Sequence, residues 1–205
     1  MKSYPSIDGR YIKGVTLTVF DKLDGSNIRA EWSRSRGFYK FGTRTRLVDE
    51  TDNIFGQTPA MILDNHGDAL DAVFRAQRYE RAVAFFEYHC IGSFAGTHPE
   101  DRSGAAVTLI DVAPYKRGLL PPRQFLDLFG GFDIPEVLYR GHLDPELVTA
   151  IKNGTLEGMT FEGVVCKYAS PKNGNIGMFK IKSNAWLDKL REYVGNDENA
   201  FRRLA

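Results

Sequence analysis

Three short stretches of the chain carry residue types from which phosphate chemistry is built. The first, Lys22-Leu23-Asp24-Gly25-Ser26-Asn27, sets a lysine and a carboxylate beside two small residues that let backbone approach a ligand closely. The second is Glu162-Gly163-Val164-Val165-Cys166-Lys167, with a carboxylate at one end and an amine at the other. The third, Phe179-Lys180-Ile181-Lys182-Ser183, places two lysines two positions apart, so that a strand presents both on one face. Two ammonium groups on one face repel each other unless an anion lies between them, and a polyphosphate is the natural anion. For the second stretch, strict alternation puts Glu162 and Lys167 on opposite faces unless Gly163 marks a bulge.

Such residues need rigid elements to hold them. Val15–Phe20 is β-rich and alternating, and a turn at 22–26 leads into a second strand at Asn27–Trp32. This places Lys22 at the mouth of a sheet rather than on a solvated helix face. Gly37–Gly42, Ala82–Tyr88, Val107–Val112, Gly163–Lys167 and Met178–Lys182 also read as strands, the last two separated by a Gly/Asn/Pro loop. Thr58-Pro59 reads as a hydroxyl cap followed by proline at the first helical position, with Ala60, Leu63, Ala69, Leu70, Val73 and Phe74 at helical spacing and Gly67 a weak point. Pro121–Phe129, Asp144–Asn153 and Asn184–Val194 read as further helices, with Asn184 as a cap. Strands dominate without strict βαβ alternation, which predicts an α+β fold of mainly antiparallel sheets flanked by helices. No repeat or linker interrupts it, so the expectation is one domain over 1–205.

Bulk composition excludes several classes. The 205 residues are 42% hydrophobic and 26% charged, ordinary globular usage. A net charge of +1 rules out a uniformly basic nucleic-acid binder, so any such contact must be a local patch. Arg34, Arg36, Lys40, Arg44 and Arg46, interleaved with Phe38, Tyr39 and Phe41, form a basic run that suits either phosphates or plain solvent. No stretch approaches the ~20 apolar residues of a membrane span, and the opening Met1-Lys2-Ser3-Tyr4-Pro5 lacks the apolar core of a signal peptide; a soluble cytoplasmic protein is expected. Cys90 and Cys166 read as buried thiols. His89 and His98 fit no metal-ligand spacing. Gly92–Gly96 is neither a phosphate loop nor a serine elbow.

Taken in order, the three stretches resemble the covalent nucleotidyltransferase superfamily of ATP-dependent ligases and capping enzymes. Lys22-Leu23-Asp24-Gly25 matches the superfamily's K-x-D-G nucleophile motif, Glu162–Lys167 its fourth motif and Lys180-Ile181-Lys182 its fifth. Phe86-Glu87-Tyr88 resembles the third. The match spans roughly residues 15 to 190. Within the superfamily the pattern is most similar to RNA ligases of the nick-repair class, because Ser26-Asn27 follows the glycine where DNA ligases and capping enzymes usually carry arginine at position 27. Phe41-Gly42-Thr43-Arg44-Thr45 resembles their arginine-threonine element, with Arg44 the better match and Arg46 its neighbour. Two departures stand out: Ile110, before Asp111, occupies a position where these ligases often have an aromatic residue, and a separate C-terminal domain after the fifth motif is not expected.

The resemblance implies a nucleotidyltransferase (ATP-grasp-like ligase adenylation) domain. It implies catalysis by Lys22, Lys180 and Lys182, and an ATP site drawn from Asp21, Lys22, Leu23, Asp24, Asn27, Arg44, Glu87, Ile110, Lys167, Lys180 and Lys182. Glu162 would hold Mg²⁺ or Mn²⁺, directly or through water. Lys22 would attack the α-phosphorus of ATP and keep AMP as a covalent lysine adenylate. AMP would pass to an RNA 5′-phosphate, and a 3′-hydroxyl would close the break. Only a neutral lysine is nucleophilic, and at a pKa of ~10.4 roughly one in a few thousand is neutral at pH 7; burial, Lys180, Lys182 and a bound metal would all disfavour its charged form. The alternatives are a small DNA ligase, a GTP-using capping enzyme, or a catalytically silent nucleic-acid-binding module of the same fold.

Overall fold

The computed structural model describes residues 3–7, 9–170 and 176–205. The Gly/Asn/Pro loop read between the last two strands lies largely outside the described residues, as do the first two residues of the chain. The chain divides into two compact units, Met1–Pro5 with Gly25–Ile134, and Ser6–Asp24 with Pro135–Ala205.

The first unit is built on an antiparallel five-stranded sheet. Its order is β4 (Leu47–Val48), β3 (Gly37–Thr43), β2 (Ser26–Ser33), β5 (Arg81–His89) and β6 (Ala106–Pro114). Along β2, Ile28, Ala30 and Trp32 alternate onto one face and are fully buried. The Trp32 ring meets Phe74 at 5.2 Å, and Phe74 meets Phe129 at 6.1 Å. These rings tie the sheet to α2 (Asp68–Ala76) and α3 (Pro122–Phe129). Before α2, α1 (Thr58–Ile62) runs straight into a wider π-type turn at Leu63–Gly67, so the helical pattern continues through Gly67 with one extra residue wound in.

The second unit holds an antiparallel four-stranded sheet in the order β7 (Val137–Gly141), β1 (Leu17–Asp21), β8 (Gly163–Ala169), β9 (Ile176–Lys182). One face is apolar: Leu17, Val19, Val164, Cys166, Phe179 and Ile181 pack with Leu147 and Ile151 of α4 (Pro145–Lys152). Each such side chain contributes about 1.5–3 kcal/mol through burial. Asp144 caps α4 by accepting from the Leu147 amide at 2.7 Å. After β9 come α5 (Asn184–Val194) and α6 (Glu198–Leu204).

The α+β expectation with mainly antiparallel sheets holds, and both cysteines are buried free thiols. Two caps differ from the reading. Ser183, not Asn184, caps α5 by accepting from the Trp186 amide at 3.1 Å. Thr58 is itself the first residue of α1, and its hydroxyl donates to the Phe55 carbonyl. The short strands β4 and β7 and helix α6 were not anticipated.

Candidate active site

Strand β1 ends where chemistry would begin. The Asp21 amide donates to the Glu136 carbonyl and the Lys22 amide to the Gly163 carbonyl, each at 2.9 Å, so the start of the lysine turn is stitched to the strands on both sides. The Asp21 carboxylate accepts from the Thr160 amide at 2.9 Å and its hydroxyl at 2.8 Å. Burial pushes the Asp21 pKa up, against the hydrogen bonds from Thr160. The Asp21 side chain thus ties the start of the turn to Thr160.

Gly163 settles the question of faces. Its φ is +132°, and a Cβ there would lie 2.2 Å from the Ile181 carbonyl oxygen, so only glycine lets β8 start this close to β9. Val164 and Cys166 point into the apolar core, which sends Val165 and Lys167 to the other face. Val165 pairs with Lys180 and Gly163 with Lys182, so both lysines of β9 share that face. Alternation breaks at Gly163, and Glu162 turns onto the lysine face.

There Glu162 bridges two amines. Lys22 Nζ donates to Glu162 Oε2 at 2.9 Å, and Lys182 Nζ lies 3.0 Å from Glu162 Oε1. Lys182 Nζ also donates to the Leu204 carbonyl at 2.7 Å and sits 3.3 Å from the centroid of the Trp186 ring. Trp186 Nε1 donates to Asp24 Oδ2 at 2.6 Å. Lys167 Nζ lies 4.7 Å from the Phe20 ring centroid. Burial brings the Lys182 pKa down to about 8; the Glu162 charge opposes this, and the charges of Lys22 and Lys180 reinforce it. A Lys–Glu–Lys cluster in which Glu162 and Lys182 are buried and Lys22 half-buried is costly to assemble, since desolvation of the buried ions rivals the attraction they gain. Its arrangement suits an anionic ligand better than it suits stability. Lys22, Asp24, Glu162, Lys167, Lys180 and Lys182 all lie on the second unit.

The first unit carries the other candidates. Asn27 is the cross-strand partner of Glu87, so the two share a sheet face. Asn27 Nδ2 donates to the Phe86 carbonyl at 3.3 Å, and Asn27 Oδ1 is buried without a hydrogen-bond partner among the described residues. Ile110 is the extra residue where register shifts, because Phe85 pairs with Asp111 and Phe86 with Leu109. Bulges of this kind re-aim a side chain. Arg44 is exposed in the turn after β3. Arg46 is tied to Asp52 instead. Two residues that the motifs do not reveal join this face. Tyr4 is buried, donates to Asp111 Oδ2 at 2.5 Å and packs its ring 5.1 Å from Phe85. Its pKa is raised first by burial and then by Asp111 and Glu87, with Arg44 acting the other way. Arg29, also buried, donates to the Ser3 hydroxyl at 2.7 Å.

The basic run separates into parts. Arg34 donates to the Tyr79 and Arg75 carbonyls, and Arg36 stacks 3.8 Å over Tyr39. His89 pairs with the Thr108 hydroxyl, and His98 lies between the hydroxyls of Ser93 and Ser26. Among the described residues no group of three His, Cys, Asp or Glu side chains could hold a metal. Glu162 offers a single carboxylate, which fits a magnesium-like ion held mainly by substrate phosphates and water. No helix among the described residues is long and apolar enough to cross a membrane.

No family model and no curated protein matches the sequence. The fold does match solved structures, those of proteins described as ATP-dependent RNA or DNA ligases, each at 20% identity or less. A Naegleria gruberi RNA ligase variant with AMP and manganese is similar at a TM-score of 0.58 and 20% identity, over 86% of this chain and 52% of that one. An archaeal ATP-dependent RNA ligase is similar at 0.69 and 16%, over 100% and 56%. An Aquifex aeolicus protein described as an ATP-dependent DNA ligase is similar at 0.62 and 17%, over 100% and 57%. The chain spans little more than half the length of each.

Proposed function

We propose that the chain is an ATP-dependent RNA ligase of the lysine-adenylate type. The observation that carries this reading is Glu162 joining Lys22 and Lys182 at 2.9 and 3.0 Å on the face that also bears Lys167 and Lys180. A polyphosphate arriving at that face meets the cations it needs. Lys22, once neutral, attacks the α-phosphorus in line and pyrophosphate leaves; the P–O bond to the leaving group breaks as the N–P bond forms. Lys182 and Lys180 neutralise the charge that grows on the α-phosphate. A divalent ion at Glu162 would supply further charge neutralisation and orient the leaving group. Asn27, Arg44, Glu87, Ile110 and Lys167 are proposed to contact ribose, adenine and phosphates.

RNA is favoured over DNA by Asn27, in the position where DNA ligases and capping enzymes usually carry arginine. Two experiments test the reading. The protein is incubated with labelled ATP or GTP and Mg²⁺ and then denatured. Label from ATP that is lost in Lys22→Ala supports ligase chemistry; label from GTP alone indicates capping, and none from either a binding module. Nicked duplexes with ribose or deoxyribose at the 3′-hydroxyl side then choose between RNA and DNA sealing.

A further inference from the structure

Trp186 touches two of the charged groups just described, and no motif named it. It lies in the first turn of α5 and is fully buried. Its indole N–H donates to Asp24 Oδ2 at 2.6 Å, and the Lys182 ammonium sits 3.3 Å from its ring centroid. Its backbone is pinned as well. The Ser183 hydroxyl accepts from the Trp186 amide at 3.1 Å and donates to the Phe161 carbonyl at 2.7 Å, while the Ser183 amide donates to the Glu162 carbonyl at 3.0 Å. The same short segment thus fixes Glu162, Lys182 and Trp186.

We propose that Trp186 is a positioning residue for adenylate transfer: its N–H holds the carboxylate of the Lys22-Leu23-Asp24 turn while its ring face seats the Lys182 ammonium. The proposal rests on the ligase reading. A buried tryptophan kept only for bulk needs one hydrogen-bond acceptor of any kind. Here the acceptor is a charged group two residues from the nucleophile, which makes the bond stronger and directional. The electron-rich ring face favours a cation at the position Lys182 takes. Trp32 provides an internal contrast. Its indole also donates to a carboxylate, Asp71 Oδ1 at 2.7 Å, but its ring packs on Phe74 and the Arg75 guanidinium over it stands off at 5.7 Å, against 3.3 Å for Lys182 at Trp186.

The test uses the full chain in two readouts. Single-turnover transfer of AMP to Lys22 is measured against ATP concentration in Trp186→Phe, which keeps a ring under Lys182 and removes the N–H. The expected result is a rate about tenfold to a hundredfold lower, the span expected for losing a hydrogen bond to a charged group, with half-saturation by ATP unchanged within about twofold. The double variant with Asp24→Asn should be no slower than the slower single variant, because the two changes remove one contact. A wild-type rate in Trp186→Phe overturns the proposal. The second readout is the pair of indole N–H signals in a nitrogen–proton NMR spectrum. Asp24→Asn and Lys182→Met should both move the Trp186 signal and leave that of Trp32 in place. A Trp186 signal unmoved by either also overturns the proposal. This readout decides even where Trp186→Phe does not fold, and where wild-type protein takes no AMP, a result that would refute the ligase reading itself.

Discussion

Lys22 Nζ and Glu162 Oε2 lie 2.9 Å apart although 140 positions separate them in the chain. The contact exists because the Lys22 amide is bonded to the Gly163 carbonyl, so the backbones on either side of the ion pair are already joined. Among the described residues Glu162 is the carboxylate that Lys22 and Lys182 share, and its loss leaves one half-buried and one buried ammonium group without that common anion.

Glu162→Ala should therefore destabilise the fold by about 3 kcal/mol, the range for breaking a buried ion pair by removing one partner. Urea unfolding measures this. AMP transfer should fall in the same variant by more than about a hundredfold.

Lys182 sets a pH limit. It must be charged to neutralise the α-phosphate, and its pKa is down to about 8. AMP transfer should accordingly fall as pH rises through about 8, and Lys182→Arg, which stays charged, should move that falling limb upward. The stability effect runs the other way. The folded pKa lies below the ordinary 10.5, so the unfolded chain binds more protons between the two values. The cost of the buried charge is fully present below pH 8 and is relieved as pH rises toward 10.5. In Lys182→Met this rise in stability between pH 8 and 10 should disappear.

Gly163→Ala places a Cβ against the Ile181 carbonyl in a backbone region that L residues rarely adopt. A loss of at least about 2 kcal/mol is expected. Because the strain falls where β8 meets β9, hydrogen exchange of the β9 amides should accelerate more than that of β5 or β6.

Cys166 packs fully buried in the core of the four-stranded unit, and burial pushes its thiol pKa up to about 12. Alkylation by iodoacetamide at pH 8 should be negligible in the native protein and should follow the urea unfolding curve. Rapid labelling without denaturant would mean that β8 opens locally.

Much of the fold was legible because burial leaves a period in the sequence. Ile28, Ala30 and Trp32 alternate with the polar Arg29 and Glu31, as a half-buried strand requires. Strand β4 has two residues and β7 is half-exposed, so pairing rather than pattern defines them. Helix α6 is polar, with Phe201 stacked beneath Arg191 at 3.7 Å and Glu198 paired with Arg191. Neither contact has a local signature. The lysines stood out because the stretches that hold them resemble, in order, the motifs of a known superfamily. The Trp186 contact with Asp24 spans 162 positions and leaves no trace in either segment. The bond from Thr160 to the Asp21 carboxylate spans 139 positions and likewise has no local signature. The boundary between the two compact units falls between Asp24 and Gly25, inside the lysine motif, where no linker composition marks it.

The most direct measurement is peptide mapping by mass spectrometry after incubation with ATP and Mg²⁺. One AMP per chain on the peptide containing Lys22, held through an acid-labile bond to nitrogen and absent from Glu162→Ala, is expected. AMP on any other lysine, or none on wild-type protein that binds ATP, would contradict Lys22 as the nucleophile.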